Sequence, residues 1–111
     1  MGICKKSELT GCELVVMKII WDAKQPITCQ EIIRQLSDKY GMNYKETTVY
    51  TFLKKLKDKG FVDSYRKGIT FFMAVRTEEE YRNMEVIRFC HFWYMDQHEL
   101  MIKDINEIGN K

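Results

Sequence analysis

Asn43-Tyr44-Lys45-Glu46-Thr47-Thr48-Val49-Tyr50-Thr51-Phe52-Leu53-Lys54-Lys55-Leu56-Lys57-Asp58-Lys59-Gly60 is the stretch on which the fold turns. At about 100° per residue, Val49, Phe52, Leu53 and Leu56 fall on one side, the i, i+3, i+4, i+7 spacing of a buried helical stripe. Tyr44, Thr47, Thr51, Lys54 and Asp58 fall opposite, with Thr48 and Lys55 beside them. An ordinary solvated helix interleaves Glu and Lys, whereas this face is small, hydroxylated and basic. Asn43 with Glu46 three residues on reads as a capping box, and Gly60 as the left-handed residue that ends the helix.

Two further helices are expected upstream. Leu9-Thr10-x-x-Glu13-Leu14 combines a capping box with a hydrophobic staple, so a helix should run over about 11–23 with Leu14, Met17, Ile20 and Trp21 inward. Lys24-Gln25-Pro26-Ile27 breaks it. Thr28-x-x-Glu31 opens the next helix, about 29–40, with Ile27 stapled to Ile32 and with Ile32, Ile33 and Leu36 facing in. Tyr40-Gly41 stops it, and only a short turn separates it from the opening stretch. The pair therefore forms a helix-turn-helix candidate.

After Gly60 the pattern becomes β-rich. Phe61 to Tyr65 and Ile69 to Val75 flank Arg66-Lys67-Gly68, which is a hairpin signal with a basic tip. Three helices followed by such a hairpin predict a winged helix; a small α+β interaction domain with a surface hairpin is the alternative. Thr77-x-x-Glu80 and Asp96-x-x-Glu99 each predict a further helix start, giving helices over about 78–95 and 97–108, the second stopped by Gly109. Tyr81, Met84, Val86, Ile87, Phe89, Cys90, Phe92, Trp93 and Tyr94 cover more than one face of the first of these. A domain this small cannot bury them all, so the tail reads as a dimerisation element, with Tyr81, Met84, Ile87, Phe89, Cys90, Trp93, Tyr94, Leu100 and Ile105 as candidate contacts. The expected fold is mainly α with a small β-hairpin: a winged helix-turn-helix DNA-binding domain over residues 1–76, then a helical dimerisation region over 77–111.

Composition narrows the function. With 111 residues, 45% hydrophobic content and a single proline, Pro26, the chain can build one modest core and is not disordered. Residues 1–76 hold 14 Lys and Arg against 8 Asp and Glu, whereas residues 77–111 hold 4 against 8. A basic front part suits a polyanion, and an acidic tail is repelled by it. Four cysteines, Cys4, Cys12, Cys29 and Cys90, form no C-x-x-C pair, and no secretory or transmembrane run is present. Reduced thiols in a cytoplasm are expected. Met1-Gly2-Ile3-Cys4-Lys5-Lys6 hints at acylation, but Lys6 stands where that pattern wants Ser or Thr, so no membrane partner is expected.

The chemistry points to double-stranded DNA. Thr47, Thr48 and Thr51 are short enough to admit the backbone to a major groove, and they offer hydroxyls to bases or phosphates and methyls to thymine. Tyr44 and Lys45 are expected in the first turn, where recognition helices commonly touch DNA, and Lys54 and Lys55 near phosphates. Thr28 caps a helix whose free amides suit a backbone phosphate, and Arg66 and Lys67 on the wing can reach flanking backbone. Cys90, His91 and His98 invite a metal reading, but Cys90 and His91 splay apart on a helix and no pair has ordinary zinc spacing. No metal, cofactor or catalytic set is expected: no orienting group, oxyanion pocket, phosphate-binding glycine loop or H-E-x-x-H motif appears, so the chain is not expected to be an enzyme. A winged-helix module that binds protein instead of DNA is the competing class.

Leu9-Thr10-x-x-Glu13-Leu14-x-x-Met17-Lys18-Ile19-Ile20-Trp21, followed by Thr47-Thr48-Val49-Tyr50-Thr51-Phe52-Leu53-Lys54-Lys55-Leu56-x-x-Lys59-Gly60-Phe61-Val62, resembles the penicillinase repressor family, which includes methicillin-resistance and copper-responsive repressors. The resemblance spans about residues 9–76. It implies a bacterial winged-helix repressor that binds palindromic operators as a homodimer through C-terminal helices. It also implies, for the antibiotic-responsive branch, release when a membrane sensor-protease pathway leads to cleavage in the dimerisation region. Thr48 and Thr51 match the family's recognition-helix threonines. The chain departs from the pattern in three places. Tyr50 stands where relatives often carry a basic residue, Cys90 alone cannot supply the copper branch's cysteine cluster, and no Asn-Phe step matches the methicillin-type scissile bond.

Overall fold

The computed structural model describes residues 9–110. The acylation reading of Met1 to Lys6 lies outside them. The chain divides after Glu78 into two compact units.

Helix α1 spans Gly11–Ala23. Thr10 caps it in extended backbone: its hydroxyl accepts from the Glu13 amide at 3.3 Å, and its own amide donates to Glu13 Oε1 at 3.0 Å. Both arms of the expected box are present, a motif whose cap contributes about 1 kcal/mol. Lys24, at φ 57°, ends the helix in the left-handed region. The inward face differs from the expected one: Glu13, Val16, Met17, Ile19 and Ile20 are buried, whereas Leu14 and Trp21 are only half-buried. Contact with α2 (Cys29–Tyr40), α3 (Glu46–Asp58) and strand β3 (Ile69–Ala74) widens and rotates the buried surface beyond a single stripe. Trp21 instead sends its indole N–H to the Arg76 carbonyl at 2.8 Å.

Thr28 caps α2 by accepting from the Glu31 amide at 3.2 Å. Only one arm of this box forms, because the Glu31 carboxylate turns to Arg34 and Gln35. Ile27, Ile32 and Leu36 are buried and Ile33 is half-buried. Ile27–Thr28 also forms β1, a strand the sequence pattern did not announce. It pairs with β3 in the register Ile27 to Phe72 and Thr28 to Phe71.

The opening stretch is helical, but it begins later than its capping pattern predicts. Lys45 is the N-cap of α3 and makes no side-chain cap bond. The Asn43–Glu46 box does not form, since Asn43 Oδ1 accepts from the Ser37 hydroxyl at 2.8 Å and the Glu46 carboxylate accepts from the Gln30 amide. Both side chains are drawn to α2, and this tertiary pairing outcompetes the local cap. The other end follows the sequence: Gly60 has φ 83°, its amide reaches the Lys57 carbonyl at 3.0 Å, and the Phe61 amide reaches Leu56 at 2.9 Å. That pair of bonds is a Schellman ending. Val49, Leu53 and Leu56 are buried, and Phe52 is half-buried.

Strand β2, Val62–Lys67, pairs antiparallel with β3, and the sheet order is β1-β3-β2. Arg66 and Lys67 close β2 within the ladder, opposite Thr70 and Ile69, and Gly68 at φ 77° makes the turn. Helices α1 to α3 enclose one core with Phe61, Val62 and Phe72 of the hairpin region, all buried. The first unit is thus a three-helix, three-strand winged helix.

The second unit carries most of α4 (Glu78–Tyr94) and all of α5 (His98–Gly109). Met95 and Asp96 join them with φ of 49° and 68°. Asp96 is not the cap that the sequence suggested. Gln97 holds that position without a side-chain bond, while the Asp96 carboxylate lies 3.1 Å from His91 Nδ1. Gly109 is the last residue of α5 and Asn110 its cap, one residue beyond the expected stop. The Tyr94 hydroxyl donates to Asp104 at 2.8 Å across the two helices.

Candidate nucleic-acid interface

Thr47, Thr51, Lys54 and Lys55 are exposed on α3, and Thr48 is half-buried. The Thr51 hydroxyl donates to the Thr47 carbonyl at 2.9 Å. Its proton is therefore engaged inside the helix, and what it offers outward is a methyl group and oxygen lone pairs. Lys54 and Lys55 carry their charge further along the same helix.

Tyr44 and Lys45 precede α3 and do not form its first turn. Lys45 is exposed, but Tyr44 is half-buried: its hydroxyl lies 3.3 Å from the Cys12 sulfur and its ring meets Phe52 edge-on at 5.4 Å. The bond with Cys12 and burial push the phenol's pKa up, so it stays protonated. Tyr44 is thereby a strut between α1 and the start of α3. Periodicity misplaced it because the helical wheel does not extend to residues ahead of the N-cap.

The hairpin lies against one flank of α3. Lys57 Nζ donates to Ser64 Oγ of β2 at 3.0 Å, and the Tyr50 ring meets Phe72 of β3 at 6.1 Å and 63°. Arg66 and Lys67 are exposed near the hairpin end. Midway along the hairpin, Tyr65 stacks on Phe71 at 5.5 Å. Thr28 is half-buried, already committed to its cap and to the β1–β3 pairing, while Gln30 ties the start of α2 to Glu46 at the start of α3. Thr47, Thr51 and Lys54 thus share one open face, with the wing on one side and the start of α2 tied to the head of α3. Cys29 is buried there, and burial together with the Glu46 charge pushes its thiol up to about 11. Tyr50, absent from the candidate residues, is an exposed member of this surface; its flank position gave it neither core nor groove periodicity.

In the tail, Ile87, Phe89, Trp93, Leu100 and Ile105 are exposed, and Met84 and Tyr94 are half-buried. Tyr81 and Cys90, expected at a dimer contact, are already buried within the single chain. Phe92, Ile102 and Ile108 join the exposed set, with Phe92 at 71% and Trp93 at 65% exposure. On α5, exposed Ile102, Ile105 and Ile108 recur every three residues, a stripe that is legible once α5 is placed. Among the described residues, no three His, Cys, Asp or Glu side chains gather to hold a metal ion, and no helix is long and apolar enough to cross a membrane.

A helix-turn-helix with an open hydroxylated and basic helix, flanked by a basic hairpin, defines the winged-helix class of DNA-binding transcriptional regulators. The penicillinase repressor model matches residues 9–108, and the chain belongs to the penicillinase repressor family. This is a family of regulators and not an enzyme class. The solution structure of the DNA binding domain of the repressor BlaI is 29% identical, over 70% of this chain and 93% of that one, with a TM-score of 0.55. Two complex structures, of hsRosR-S4 and hsRosR-S1, share the fold. They are 14% and 17% identical over 95% and 96% of this chain and 94% and 97% of theirs, with TM-scores of 0.62 and 0.59. No curated protein matches the sequence.

Proposed function

We propose that the protein is a cytoplasmic repressor that binds a palindromic operator as a homodimer, with α3 in the major groove and the wing on flanking backbone. The observation that carries this reading is the open face of α3, where Thr47, Thr51 and Lys54 are exposed together beside a hairpin ending in Arg66 and Lys67. Thr47, Thr48 and Thr51 are assigned to base edges and the nearest phosphates. Lys45, Lys54, Lys55, Arg66 and Lys67 are assigned to the backbone, which fixes register without reading sequence. Thr28 and Tyr44 contribute by holding the starts of α2 and α3 in place.

The tail supplies the second half of the reading. A soluble chain does not leave Ile87, Phe92, Trp93, Ile105 and Ile108 more than half exposed without a use for them, and a second copy offers the same apolar surface in return. Pairing through α4 and α5 sets two recognition helices on two half-sites. Induction then acts on the tail, by cleavage in a sensor-protease pathway that separates it from the DNA-binding unit. The absence of an Asn-Phe step puts any such cut at another bond. A mobility shift with the DNA upstream of the protein's own gene, at two salt concentrations, tests the reading against a protein-binding role. A retarded, salt-sensitive complex is expected, and no shift at low salt contradicts it.

A further inference from the structure

Tyr50 is the exposed aromatic of α3 that neither the core nor the groove-facing set uses. On the helix it lies roughly 80° from the line through Thr47 and Thr51, on the flank that meets the hairpin. One side of its ring is held edge-on by Phe72 at 6.1 Å, yet 43% of the residue is open. Lys57, on the same flank, is tied to Ser64, so the spacing between this side of α3 and the wing is fixed. A side chain leaving the flank of a helix that sits in a major groove meets the groove wall, where the phosphates run, and not the base edges on its floor. The phenol is kept protonated, because burial and then the nearby Cys29 and Glu46 push its ionisation up. It therefore presents an O–H donor with no charge of its own. Glu46, the acidic neighbour that would disfavour an anion, is engaged by Gln30, and the Arg66 charge also acts on the phenol.

Resting on the DNA-binding reading, we infer that the Tyr50 hydroxyl donates a hydrogen bond to a DNA phosphate at the groove edge beside the wing. The contact fixes the depth and tilt of α3 while Thr47 and Thr51 face the bases. This chain then holds the backbone with a neutral donor braced by Phe72. The consequence is a contact that adds affinity without adding to the salt dependence.

The test uses the full chain and a DNA duplex selected by the wild type from a random pool. Tyr50→Phe keeps the ring on Phe72 and removes only the hydroxyl; Tyr50→Ala removes both. Tyr50→Phe is expected to weaken binding on the order of tenfold, by the same factor on every single-base variant of the site, with an unchanged salt slope. Wild-type affinity for Tyr50→Phe with a loss only for Tyr50→Ala would make the residue a packing element and overturn the inference. A loss confined to one base pair would make it a base reader and overturn it too. A wild type that enriches no DNA at all removes the functional reading itself and this inference with it, an outcome distinct from wild-type binding that Tyr50→Phe leaves intact.

Discussion

Lys59, at the C-terminal cap of α3, donates from Nζ to the Glu13 carboxylate on α1 at 2.7 Å, and Glu13 is 1% exposed. The same carboxylate accepts the Thr10 amide. One side chain therefore starts α1 and pins the far end of α3, so the angle between the two helices depends on a charge pair whose carboxylate is buried. Removing the cation leaves an uncompensated carboxylate in the core. Lys59→Met is expected to cost about 3 kcal/mol in urea unfolding, and the pair replacement Glu13→Leu with Lys59→Met to recover much of it. A Lys59→Met protein within about 0.5 kcal/mol of wild type would show that the pair does not hold the helices.

The same pair sets a pH dependence. Burial raises the Glu13 pKa, but the hydrogen bond from Lys59, the Thr10 backbone and the Lys59 charge together outweigh it, and the native value is lowered. A lowered native pKa contributes stability that is fully present above the unfolded glutamate value of about 4.3 and is lost as pH falls through the native value. In Lys59→Met both Lys59 contributions are gone and only the Thr10 bonds oppose burial, so the native pKa rises relative to wild type and less of the stability is lost on acidification. Glu31, held at about 2 by Arg34 and Gln35, adds an acid-labile contribution common to both proteins. The difference in urea midpoint between wild type and Lys59→Met should therefore shrink as pH falls from 7 to 3. A difference independent of pH would separate Glu13 from Lys59.

Local motifs were legible in the sequence where no side chain of another element competes for their partners. Thr10 with Glu13 and Gly60 with Phe61 form as their spacing says. The Asn43–Glu46 box fails because Ser37 and Gln30 on α2 claim the two side chains, and Asp96 fails as a cap because His91 does. Neither competitor is visible without the tertiary fold. β1 is two residues long and exists only by pairing with Phe71 and Phe72. On α3, the exposure of Thr47, Thr51 and Lys54 follows from periodicity, whereas the flank position of Tyr50 acquires meaning only when Phe72 stands beside it. The sequence marks Glu13 as part of a cap; its second partner, 46 residues away, leaves no local signal.

On DNA, the residues of α3 should divide their labour. Because the Thr51 proton is held by Thr47, its methyl is the principal outward group, so Thr51→Val should retain most of the affinity at a thymine. Thr51→Ala should lose roughly 1 to 3 kcal/mol on the selected site alone. Lys55→Ala should weaken binding on every sequence and reduce the salt slope by about one. Fluorescence anisotropy on selected and random duplexes at several salt concentrations reads both, and equal losses on the two duplexes for Thr51→Ala and Lys55→Ala would remove the division.

In the tail, Phe92→Glu and Ile108→Glu place charge on exposed apolar positions without touching the buried Tyr81 and Cys90. Sedimentation should show each variant shifting towards monomer, with the thermal transition of the DNA-binding unit retained. A dimer that persists in the double variant would move the interface elsewhere.

The central claim, a symmetric pair of recognition helices on DNA, is tested most directly by selecting duplexes from a random pool with the full-length protein and sequencing them. Two inverted half-sites whose centres lie one helical turn, about 10 bp, or a multiple of it apart, bound by two chains, is the predicted result. A single unrepeated site bound by one chain, or no enrichment of any sequence, would contradict it.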